Sequence, residues 1–187
     1  MVTYVGQETL NLGIVLERRP SDHPWQDHSW HPVGVIPQAP EADPKVAWRE
    51  LLRDGDVVRF HAGTLTLSLF RKETEGYRLN LSQHPPRIFV IVRRDEDPDS
   101  PHELRPFHVT ACPYEAQVYL DNGEDLVEAV AMPELVVGWV TDFVERNHVE
   151  QPFKKRKRQP HVGEEHQPFE PPADSPVRTP SPKGSRS

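Results

Sequence analysis

The residues best equipped for chemistry lie in one short stretch, Ile14 to Pro40, which holds His23, Asp27, His28 and His31 beside Trp25 and Trp30. Imidazole and carboxylate together are donors for Zn, Ni or non-haem Fe. Their spacing follows no zinc pattern, however, and a loop broken by Pro20 and Pro24 does not hold ligands in place, so no metal is assigned. The two indoles offer either large anchors packed on a sheet or an aromatic hot spot for a partner. Trp25, Asp27, His28 and Trp30 are therefore the expected partner-binding residues. A second group, Arg59, His61, Arg71 and Glu73, falls on two runs of strand character. If Ala62-Gly63 turns a hairpin there, Arg59 and His61 come opposite Arg71 and Glu73, a polar face suited to an anion or small ligand. Cross-strand pairing of opposite charges on a solvent face is the plainer account of it.

Other features carry less. Glu115, Asp121, Glu124, Asp125 and Glu128 make an acidic patch around Asn122-Gly123, most simply a solvated surface. Cys112, the one cysteine, precedes a helix start and reads as a small packed residue. The chain has no GxSxG, HExxH, Walker or GxGxxG motif, so no catalytic residue and no cofactor is assigned.

The elements that must position these residues follow from periodicity and punctuation. Leu12–Leu16 and Val33–Ile36 read as strands flanking the Trp/His loop. Asp43-Pro44 looks like a helix start, and Val46, Trp48, Leu51 and Leu52 suggest a short helix over 44–53 closed by Gly55. Val57–Phe60 and Leu65–Phe70 read as two strands joined at Ala62-Gly63, and Tyr77, Leu79 and Leu81 alternate as a third. Ile88–Val92 is continuous and apolar, the mark of a central strand. A turn-rich loop over Asp95–His102 leads to a strand at Phe107–Thr110. Pro113 opens a helix in which Tyr114, Val118 and Tyr119 share a face. Leu126–Met132 is a further strand, and Pro133 opens the longest helix, with an apolar stripe from Leu135 to Val144. These elements predict an α+β domain over 12–153: a mainly antiparallel, twisted sheet or small partly closed barrel with peripheral helices. Residues 1–11 read as a flexible leader and 154–187 as a basic, Pro-rich disordered tail.

Charge and composition limit the function. Of the 187 residues, 1–153 carry 14 Lys/Arg and 25 Asp/Glu, a net of −11; 154–187 carry eight and four, a net of +4. An acidic body argues against nucleic acid. A single cysteine excludes an internal disulfide framework and suits a reducing cytoplasm. No apolar run is long enough to insert in a membrane. The Lys154–Arg158 run, KKRKR, reads as a solvated boundary.

Five blocks in order, ERRP, PWQDHSWHPVGVIP, RFHAGTLTLSLFRKETEGYRLNL, CPYEAQVYLDNGEDLVEAVAMP and PFKKRKR, resemble an uncharacterised proteobacterial domain family over Gly13–Arg158. Its members are typically encoded near formate dehydrogenase and other molybdoenzyme components, and some are labelled molybdopterin-guanine dinucleotide biosynthesis proteins. The usual guanylyltransferase has a Gly-rich phosphate loop and a metal-binding Asp in a parallel sheet. Gly13 stands alone here and the chain reads antiparallel, so that activity does not carry over. The resemblance implies a cytoplasmic accessory protein for a molybdenum-dependent formate dehydrogenase system, binding that enzyme or a cofactor-assembly component. The alternatives are a protein or enzyme acting on the molybdopterin or guanine dinucleotide cofactor through Arg59, Arg71 and His61, and a structural subunit of the enzyme complex.

Overall fold

The computed structural model describes residues 6–23, 25–43, 48–100 and 102–148, all within one compact unit. Among the described residues, seven strands form two antiparallel sheets. The first comprises β1 (Gln7–Pro20), β2 (His28–Pro37), β3 (Arg49–Asp54) and β4 (Val57–Phe70) in the order β2-β1-β4-β3. The second comprises β5 (Arg87–Arg94), β6 (Leu104–Thr110) and β7 (Leu126–Ala131) in the order β6-β5-β7. Helices α1 (Thr74–Leu81), α2 (Pro113–Asn122) and α3 (Glu134–Asn147) complete the unit. β4 lies beside β6, and β2 beside β7. No hydrogen-bond ladder joins these neighbours, so the sheets do not close into a barrel.

The core is built from the apolar strand runs and the helical stripe expected from sequence. Leu12, Ile14 and Leu16 of β1, Leu67 and Leu69 of β4, and Ile88, Val90 and Val92 of β5 are buried together, with Val136, Val140 and Phe143 of α3. Each such side chain contributes about 1.5–3 kcal/mol by leaving water. β5 is indeed the central strand of its sheet. Pro133 caps α3 as expected, and Gly123 ends α2 at φ 71°, where an L side chain would be strained.

Four local expectations need correction. Arg49–Asp54 is an edge strand and not helix, and its six residues are all exposed. Gly55, at φ 57°, opens the two-residue turn between β3 and β4 instead of ending a helix. Val57–Phe70 is one continuous strand; Ala62-Gly63 is a β-bulge, since Gly13 pairs with Thr64 and Val15 with His61. Tyr77–Leu81 is helical: Thr74, Tyr77 and Asn80 are buried at three-residue spacing, whereas Leu79 is 44% exposed. The expected helix α2 is formed, and Tyr114 and Val118 on it are 57% and 67% exposed. In addition, β1 begins at Gln7, so the segment read as a leader is partly strand. The tail read as disordered lies outside the described residues.

Candidate binding cleft

The Trp/His stretch is a β-hairpin rather than a long loop. β1 and β2 pair from Leu12–Pro37 to Pro20–His28, which leaves only Ser21–Asp27 as connection. Its ends are tied by the Ser21 N–H donating to the Asp27 carbonyl (3.2 Å), and the Gln26 N–H donates to the His23 carbonyl (3.1 Å). At this tip Trp25 is 88% exposed and Asp27 is exposed. The remaining predicted contacts, His28 and Trp30, start β2 and have partners far along the chain. The Trp30 indole N–H donates to Glu103 Oε1 at 2.8 Å, and His28 Nε2–H donates to the same oxygen at 3.0 Å.

Trp30 sits inside an aromatic cluster. Its ring meets Trp48 edge-on at 5.1 Å and Phe60 at 5.7 Å, while Trp48 stacks on His102 at 3.8 Å with a 12° interplanar angle. Such pairs add about 0.5–1.5 kcal/mol each beyond area burial. Trp30 is therefore half-buried and packed on the core, whereas Trp25 is open to solvent. The cluster borders a cleft of about 330 Å³ lined by Gln26, Ser29, Trp30, Glu103, Leu104 and Leu126, among others. It thus lies between the β1–β2 tip and the β5–β6 connection.

The second predicted surface is not formed. Arg59 pairs with Glu17 on β1, not with residues after β4. Glu17, 2% exposed, is held by Arg59 (2.6 Å) and Arg19, which keep its carboxyl below the ordinary value despite burial. Arg71 lies in the turn that follows β4, and Glu73 accepts a hydrogen bond from the buried Tyr77 hydroxyl at 2.8 Å. The bulge at Ala62-Gly63, by keeping β4 running, removes the hairpin that was to bring these groups together. His61 instead lines a separate hollow of about 200 Å³ with Asp43, Trp48, Arg49 and Gly63. Its Nε2–H donates to Thr64 Oγ1 (3.2 Å), whose hydroxyl donates to the Pro40 carbonyl (2.6 Å). Burial, and then Arg49, push the His61 pKa down, which favours the neutral ring. Gly13 permits this packing: a Cβ there would meet Ala39 Cβ and His61 Nε2 at 2.8 Å. A hollow of this size suits a small ion and not a dinucleotide.

The histidines of the tip do not converge. His31 Nδ1–H donates to Glu128 (3.2 Å) while His28 turns to Glu103, and among the described residues no three His, Cys, Asp or Glu side chains gather as metal ligands. The acidic patch is partly consumed internally: Arg93 makes a bidentate pair with Asp125 (2.7 and 2.8 Å), and His108 bonds Glu115 (3.1 Å). Cys112 is 2% exposed and burial raises its pKa, as fits a packed thiol. Sequence reading missed Trp48, Phe60, His102 and Glu103 as parts of the site. Trp48 looked like a helix's apolar face, and Glu103 meets Trp30 across 73 residues with no periodic signal.

The structure thus defines a two-sheet α+β domain whose loops at one end frame an aromatic cleft. The chain belongs to DUF3305, described as a protein family of unknown function, whose model matches residues 11–157. No curated protein and no solved structure matches it. Among the described residues no helix is long and apolar enough to cross a membrane.

Proposed function

We propose that the protein is a cytoplasmic accessory factor of a molybdenum-dependent formate dehydrogenase system, holding a protein partner during cofactor insertion or assembly. The observation that carries a binding role is Trp25: a tryptophan 88% exposed, on a short closed loop whose next residue, Gln26, lines the cleft beside Trp30. An indole in water stabilises nothing in the free fold, and buried in a partner it is the commonest kind of hot spot. The choice of partner rests on the resemblance of the ERRP to PFKKRKR blocks to proteins encoded beside formate dehydrogenase.

The test is capture. Tagged full-length protein is purified gently from its native host and the accompanying proteins are identified by mass spectrometry, for wild type and Trp25→Ala. A formate dehydrogenase subunit lacking its cofactor, present with wild type and lost with the variant at unchanged melting temperature, supports the reading. Recovery of fully active enzyme in fixed stoichiometry replaces it with a structural subunit. Recovery of the protein alone, with heat evolved on adding a guanine nucleotide, replaces it with a cofactor-binding role.

A further inference from the structure

The cleft beside Trp30 combines apolar wall with two carboxylates and one guanidinium. Leu104 and Leu126 supply the apolar part, Trp30 an aromatic one, Asp95 and Glu103 the carboxylates, and Arg94 the guanidinium. Glu103 Oε1 already accepts both Trp30 Nε1–H and His28 Nε2–H, and Oε2 has no donor among the described residues. The side chain is 59% exposed, so this second oxygen is within reach of an incoming group. The connection that forms this wall carries exposed Glu96, Asp97 and Asp99 as well, and the facing β1–β2 tip carries Asp22 and Asp27; Arg94 lies on the cleft wall among them, and Arg105 pairs with Asp95. Phosphate, nucleic acid and anionic lipid are repelled by such a rim.

We propose that the cleft takes an arginine side chain presented by an extended basic segment of a partner protein. A guanidinium is planar and weakly hydrated, so it can lie along an indole while donating to Glu103 Oε2, and its methylene stem covers the two leucines. A lysine ammonium fits less well because it holds its water more tightly. Trp25, next in sequence to Gln26 on the cleft wall, is available to the residues flanking that arginine. This assignment rests on the partner-capturing role proposed above and specifies the chemistry of what is captured.

The experiment titrates short fluorescent peptides of alternating Ser and Arg, Ser and Lys, or Ser and Glu into the full-length protein and follows anisotropy. The Arg peptide should bind most tightly, the Lys peptide several-fold more weakly, and the Glu peptide not at all. Glu103→Gln keeps an acceptor for Trp30 and should weaken the Arg peptide about fivefold, in line with an exposed charge pair. Arg94→Glu should tighten it about threefold, and Glu145→Gln, on exposed α3 surface, should leave it unchanged. Equal weakening by Glu103→Gln and Glu145→Gln, equal affinity for Arg and Glu peptides, or no effect of Arg94→Glu overturns the assignment. Repeating the host capture with Glu103→Gln separates the two proposals. Undiminished capture of a formate dehydrogenase subunit removes the cleft assignment alone. A cleft that discriminates the peptides in a protein that captures no such subunit removes the formate dehydrogenase reading alone.

Discussion

At the scale of single residues, the two hairpin tryptophans do opposite work although they stand five positions apart. Trp30 is held on four sides, by Glu103, His28, Trp48 and Phe60. Trp30→Ala should therefore cost about 2–3 kcal/mol of folding free energy, slightly under the usual value for a fully buried ring, read from urea midpoints. Trp25→Ala should stay within about 0.5 kcal/mol of wild type. Equal losses at the two positions would mean that Trp25 also packs. Asn80 is a second residue whose importance sequence reading did not expose. It is 1% exposed, its amide donates to the carbonyls of Arg87 and Ala111 (both 2.7 Å), and its oxygen accepts the Arg87 N–H (2.8 Å), so one side chain joins α1 to β5 and to the end of β6. Asn80→Asp keeps the shape and removes both donors, setting a carboxylate against two carbonyls. It should destabilise by about 3 kcal/mol or more at pH 7. The aspartate's folded pKa is raised there, so the loss should shrink as pH falls and the carboxyl takes a proton. A loss that does not change with pH would point to packing instead of the donors.

At the scale of elements, α3 illustrates what a periodic pattern reveals and what it hides. Its buried stripe, Val136, Val140, Phe143 and Val144, was readable from spacing alone. Its docking was not, because that depends on Glu8 at the far end of the chain: Trp139 donates to Glu8 Oε2 (3.0 Å) and Arg146 to Glu8 Oε1 (2.7 Å). Glu8→Ala should leave α3 formed but loosen it, by about 1 kcal/mol. Hydrogen exchange should quicken in α3 and at the start of β1 while the centre of β5 stays protected; uniform quickening would show that the pair stabilises the whole unit cooperatively. The elements misread in sequence share one physical cause. Glycine and short apolar alternations mark a departure from regular backbone without saying which one. Gly55 is equally suited to a helix end or a hairpin turn, and Ala62-Gly63 to a turn or a bulge. Only pairing decided them, with β4 matching the 14 residues of β1 along nearly its whole length. The Tyr77, Leu79, Leu81 alternation misled because Leu79 is exposed, and it is Tyr77 and Asn80 that mark the helix.

At the scale of the whole molecule, the α+β class and the antiparallel pairing were legible because they depend on local pattern and short connections. The cleft was not, since it needs the β1–β2 tip, β2, the β5–β6 connection and β7 to arrive at one end together. The same long-range assembly makes the protein's acid stability predictable. Glu17 is held by Arg59 and Arg19, Glu115 by His108, and Asp125 by Arg93 and Asn122; each carboxyl lies below its ordinary value of 4.5 for Glu or 3.8 for Asp. The side chains of Glu17 and Asp125 are 3% and 0% exposed, so solvent screens those two little. A carboxyl whose folded pKa is depressed binds fewer protons than in the unfolded chain. Its contribution is full above the unfolded value and is lost as pH falls through the folded one. Urea midpoints should therefore be flat with respect to these groups down to about pH 5 and fall progressively below about pH 4.5. Glu17→Gln isolates one share: it should lower stability by about 2 kcal/mol at pH 7, yet lose less than wild type on acidification. The two curves then approach each other at acid pH, as wild-type Glu17 takes up its proton. Parallel curves would show that Glu17 acts by shape alone and that the bond from β4 to β1 through Arg59 carries no charge-dependent stability.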